Sequence, residues 1–131
     1  MKNIVQYGMI IVILCSGMFS VQRESLYDSI DYYLKKHRQS IERDDVIVQD
    51  GKIRIELVGR RTNLKSLFLM GFYSVGRTLY KSSYPFKEVQ VVIHYEMKGE
   101  QQVSATVSVE KVLELAQNRL SSEQFMYEIE Y

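Results

Sequence analysis

Cysteine, proline and histidine are scarce in this chain and tryptophan is absent, and the scarcity of cysteine and histidine closes off two chemistries. The one cysteine in 131 residues is Cys15, inside an apolar N-terminal stretch. The rest of the chain therefore has neither a disulfide nor a thiolate nucleophile. Two histidines, His37 and His94, fall short of the three or four ligands that a zinc site takes, and no metal or cofactor is expected. An excess of either charge is missing as well. Seventeen Lys and Arg against sixteen Asp and Glu leave a net charge of +1, no bulk field to draw nucleic acid or an anionic surface.

What is present suits a single globular core. The chain is 46% apolar and 25% charged, long enough for one domain. Its ten tyrosines favour strands and half-buried surfaces. There is no repeat, linker or low-complexity tract.

Lys2 followed by a mainly apolar run over 4–21 predicts an export segment in residues 1–21. It reads as a cleaved secretory signal peptide or as a retained membrane anchor. Cys15 and Gly17 supply the small residues of a cleavage pattern. Lipid attachment at Cys15 is a third reading, opposed by Leu14 where a small residue is needed. Residues 22–131 then form one extracytoplasmic domain, secreted, periplasmic or anchored, which touches a membrane only through 4–21 if that segment is kept.

The stretch 63–82, NLKSLFLMGFYSVGRTLYKS, organises the domain. Leu64, Leu67, Phe68, Gly71, Val75 and Leu79 recur at helical spacing. Met70, Phe72 and Tyr73 widen the stripe until little of the middle is polar, as in a helix buried on more than one side. Gly71 and Gly76 each cost about 1 kcal/mol against Ala in a helix interior, a cost that close approach of a neighbouring backbone would offset.

Around this helix the remaining elements fall in order. Leu26, Ile30, Tyr33, His37 and Ile41 predict a helix over 23–43. A hairpin over 46–58 turns at Asp50-Gly51, the dipeptide that a two-residue type I′ turn favours. After Pro85, alternating runs over 86–97 and 102–109 flank Lys98-Gly99-Glu100 as a second hairpin. Ser108 caps a helix through Leu120, and Ser121 with Gln124 forms a capping box for a last helical turn. The expected fold is α+β in the order α-ββ-α-ββ-α. It has two layers, a four-stranded antiparallel sheet made of two hairpins with helices on one face.

Chemistry-bearing patterns are sparse. Gly71 to Thr78 approximates a phosphate-binding loop, but Arg77 replaces the lysine and the glycines sit within a helical stripe rather than after a strand. Ser74 lacks the strand-to-helix elbow of a nucleophile. His94 and Glu96, two apart on one strand face, are the nearest approach to an acid/base or metal pair. Lys52, Arg54, Arg60 and Arg61 form the largest basic cluster, without the interleaved aromatics of single-strand binders. No polar triad converges. The sequence therefore points to a non-enzymatic interaction or structural module at the cell envelope, with a protein partner and not nucleic acid. The polar sheet face, and Arg54 and His94 within it, is the expected interaction surface. The alternative is a small-ligand binding protein whose pocket lies between helix and sheet, lined by Tyr32, Tyr33, Tyr73 and Tyr80.

Overall fold

A computed structural model describes residues 24–82 and 85–131, and the export segment expected over 1–21 lies outside the described residues. Helix α1 spans 24–35. Strands β1 (Val46–Gln49) and β2 (Lys52–Val58) follow, then helix α2 (Leu64–Tyr80). Strands β3 (Glu88–Glu96) and β4 (Glu100–Ser108) lead to helices α3 (Val109–Ala116) and α4 (Ser122–Glu128). The class is α+β, as the hydrophobic patterning predicts.

Both hairpins form. Asp50 and Gly51 take φ of 51° and 74°, the positive values that a tight type I′ turn requires. They set the register Val48↔Ile53 and Gln49↔Lys52. β3 and β4 pair without interruption from Glu88↔Ser108 to Glu96↔Glu100.

The all-antiparallel expectation fails at the centre of the sheet. Strand order is β1-β2-β3-β4, yet β2 and β3 run parallel, with Ile53↔Val89, Ile55↔Val91 and Leu57↔Ile93 in register. The cause is α2. Its 17 residues span about 25 Å at 1.5 Å each and carry the chain back to the end where β2 began, so β3 must run the same way. Alternation of apolar and polar residues is the same for either pairing, which is why the pattern could not distinguish them. The sheet is mixed.

Ile53, Ile55, Val89, Val91 and Ile93 are fully buried on the face that α2 covers, and Phe68, Phe72 and Phe125 fill the layer between. Both helix glycines mark close approaches. A Cβ at Gly71 would meet Val91 and Ile55 side chains at 3.1 and 3.3 Å, so α2 lies low on the sheet. At Gly76 it would stand 2.7 Å from the Val112 carbonyl oxygen, where the α3 backbone passes. Burial falls away at the end of β3, where Tyr95 is half-buried and Glu96 exposed. Met97 lies past β3, 43% exposed, with its sulfur 3.2 Å from an Arg61 guanidinium nitrogen.

Helix α1 ends earlier than expected, at 35 rather than near 43. The Leu34 carbonyl accepts from the His37 and Gln39 amides and Arg38 adopts φ 61°, the left-handed geometry that ends a helix. His37 therefore leaves the helix and is exposed. Leu26, Ile30 and Leu34 are buried, and the Thr78 and Ser29 hydroxyls, 2.9 Å apart, fasten α1 to α2. Among the described residues no helix is long and apolar enough to cross a membrane.

Candidate functional site

Two regions bring chemistry-bearing side chains together. One is the sheet face opposite the helices. Arg54 on β2 pairs with Ile47 and Gln90 on its neighbouring strands, and Val58 pairs with His94. Arg54 and His94 thus share a face but stand four ladder positions apart, about 13 Å at 3.3 Å per residue. Each sits in its own depression. One holds Arg54 with Lys52, Glu88 and Gln90, and the other holds His94 with Arg60, Glu96 and Glu100.

The partner expected for His94 is not the one it meets. Its Nε2 lies 3.2 Å from Glu56 Oε1 and its Nδ1 3.8 Å from Glu100 Oε1. Strand pairing explains this, because Glu56 lies diagonally across on β2, whereas Glu96 pairs with Glu100. An ionised carboxylate can only accept, so Nε2 carries the proton in its contact with Glu56. Among the described residues no group of three or more His, Cys, Asp or Glu is placed to hold a metal. Val92, apolar on this face like Ile47 and Val58, is 5% exposed with Glu56 and Ser104 paired on either side.

The second region is a cleft of about 570 Å³ between α1 and α2. Helix α2 contributes Ser66, Leu69, Met70, Tyr73 and Arg77, a stripe at i, i+3/4, i+7 and i+11 that runs about 16 Å along the helix. The end of α1 and the turn after it contribute Tyr33, Lys36 and His37. Its surface is mainly apolar toward Leu69 and Met70 and cationic toward Arg77. A space between helix and sheet, as the sequence suggested, also forms, about 550 Å³ between β4 and helices α3 and α4 and lined by Ser104, Thr106, Lys111 and Glu128, but none of the four tyrosines expected there lines it. The cleft lies between helices. Of the tyrosines proposed to line it, Tyr33 and Tyr73 do so, while Tyr32 and Tyr80 are 56% and 55% exposed elsewhere.

The cationic end is built around Tyr33, which is only 7% exposed. Lys81, Lys36 and Arg77 place their charges 5.3, 5.6 and 5.9 Å from its ring centroid, within cation–π range. Hydrogen bonding from Lys81 holds the phenol below its ordinary value near 10. The charges of Lys81 and Arg77 act the same way, and burial opposes them. Lys35 shows the contrast one position away. It pairs with Asp31 at 2.8 Å, and that hydrogen bond, with the carboxylate's charge, raises its pKa. Lys36, Arg77 and Lys81 have no such acid among the described residues. All sixteen Asp and Glu of the chain lie at position 24 or beyond, so residues 1–23 bring none.

The sequence conceals the cleft stripe, because Leu69, Met70 and Tyr73 read as widening of the core stripe. The signal was Arg77, a charge in line with them at helical spacing. Comparison with known proteins returns no match, whether to a protein family, a curated sequence or a solved structure.

Proposed function

We propose that this chain is a non-enzymatic binding module of the cell envelope, delivered by residues 1–21, and that the cleft between α1 and α2 is its recognition site. The observation that carries this reading is the make-up of the cleft. Its volume falls within the range of small-molecule sites, and an apolar wall converges on a few polar groups. Among the described residues neither histidine has the nucleophile or oriented third group that catalysis would require.

The test is titration with N-phenyl-1-naphthylamine, a neutral apolar fluorophore, followed by amide chemical shifts. Saturable one-site binding that moves Leu69, Met70 and Tyr73 supports the cleft. Absence of saturable binding overturns it. A second reading, docking of an envelope protein on the open sheet face, draws on the depressions around Arg54 and His94. It predicts that an Arg54→Ala/His94→Ala double variant loses partners in pull-downs from envelope extract that wild type retains.

A further inference from the structure

The cleft's polar groups are of one kind, and that restricts its ligand. Every lysine, arginine, aspartate or glutamate that lines the cleft is a cation. Lys36 and Arg77 line the space, and Lys81 stands behind them on the same tyrosine ring. In a protein whose positive and negative residues are nearly equal in number, three neighbouring cations without a carboxylate are an electrostatic gap. Bringing like charges together is unfavourable, and an anion placed among them reverses the sign of that energy. Arg77 offers a planar fork of N–H donors and Lys36 a mobile ammonium, the two chemistries that hold carboxylates and phosphates. Toward the other end Leu69, Met70 and Tyr73 present an apolar wall with no charged group of α2 between them. Methionine there adapts to irregular apolar shapes.

Resting on the reading of the cleft as the recognition site, we infer that its ligand is a single-chain anionic amphiphile. The carboxylate or phosphate head is held by Lys36 and Arg77, and the apolar body lies along Leu69, Met70 and Tyr73. Lys81 acts through Tyr33, fixing the ring against which both cations rest.

The experiment is displacement of N-phenyl-1-naphthylamine by three ligands of one chain length, decanoate, decanol and decylamine, each below its aggregation concentration. Decanoate should bind about tenfold or more tightly than decanol, the worth of one charge-assisted contact, and decylamine more weakly than either. The advantage of decanoate should shrink as salt rises and nearly vanish in a Lys36→Met/Arg77→Met double variant, whose fold is checked by circular dichroism. The wild-type ranking needs no variant, so a folding defect would not hide the answer. Equal affinities for decanoate and decanol overturn the inference, as does an advantage that survives in the double variant. If the fluorophore itself finds no saturable site, it is the binding reading that fails. A parallel arm uses phosphatidylglycerol and phosphatidylcholine vesicles. Selective capture by the anionic vesicles, lost in the double variant and not competed by decanoate, would assign the cations to a bilayer headgroup and overturn the single-chain ligand.

Discussion

On the open sheet face His94 stands between Glu56 and Glu100. In the cleft, Lys36, Arg77 and Lys81 gather round one tyrosine with no acid at hand. The first surface answers the charge of His94, which leaves little electrostatic gain for a partner there, while the Arg54 Nε is buried on the same face without a hydrogen-bond partner among the described residues. The second leaves its charges unanswered, a local conflict of the kind that functional sites keep at some expense of stability. A charge matters less for being present than for lacking its counterpart.

Helix α2 supports both regions, roofing the covered sheet face and walling the cleft, and the largest expected effects test that. Phe68 is fully buried and stacks on Phe72 at 6.3 Å. Phe68→Ala should lower the unfolding free energy by about 3–5 kcal/mol, read from urea denaturation. An unchanged midpoint would detach α2 from the core. Gly76→Ala comes next, at about 1–3 kcal/mol destabilising despite the ~1 kcal/mol helix propensity that Ala adds. Its Cβ would face backbone at 2.7 Å. Gly71→Ala should cost less, since only side chains need to yield. Equal losses at the two glycines would mean that the α2–α3 contact is softer than the geometry indicates.

Smaller effects sharpen the contrast in charge. Glu56→Gln removes the partner of His94 and should destabilise by up to about 1 kcal/mol. Lys36→Met relieves repulsion and should be neutral or slightly stabilising. Added salt should stabilise the wild type relative to Lys36→Met and destabilise it relative to Glu56→Gln, because screening weakens repulsion in one place and attraction in the other. Salt responses of the same sign would erase the distinction between the regions.

The smallest signal is spectroscopic. The Tyr33 phenol titrates below its ordinary value near 10, so tyrosinate absorbance should begin to rise at lower pH in wild type than in Tyr33→Phe. A phenol whose folded pKa is depressed stabilises the fold fully above its unfolded value. That contribution disappears as pH falls through the folded value. Wild-type stability relative to Tyr33→Phe should therefore rise with pH between the two values and show no such trend near neutrality. Coincident absorbance curves would remove Lys81 and Arg77 from the ring.

Much of the architecture was legible because it is written in local periodicity. The helix over 63–82, the Asp50-Gly51 turn and the caps at Ser108 and Ser121 all depend on residues a few positions apart. The Ser108 and Ser121 hydroxyls accept the Lys111 and Gln124 amides as capping requires. The parallel centre was not legible, since alternation carries no direction. Nor was the short α1, because Arg38 carries no mark of the left-handed turn it adopts. The site was half legible. Tyr33 and Tyr73 were singled out as pocket residues and do line the cleft. The cations beside them were not, because Lys36, Arg77 and Lys81 are far apart in sequence or belong to runs that look like solvated surface. His94 was identified, but its partners arrive from another strand and across a turn.

The parallel pairing of β2 with β3 has a consequence for cooperativity. An isolated two-stranded hairpin is marginal in water, and here each hairpin gains its second neighbour only from the other half of the chain, as in Lys52↔Glu88 and Ile55↔Val91. The connection that permits this pairing is α2 itself, whose Gly71 rests against both Ile55 and Val91. Losing the helix therefore unlocks the middle of the sheet, and losing the middle of the sheet uncovers the helix. The two halves have no separate folded existence, and the molecule should melt as one unit. Far-ultraviolet circular dichroism and tyrosine fluorescence would then trace a single coincident transition, whereas two resolved steps would show that one hairpin survives without its parallel neighbour.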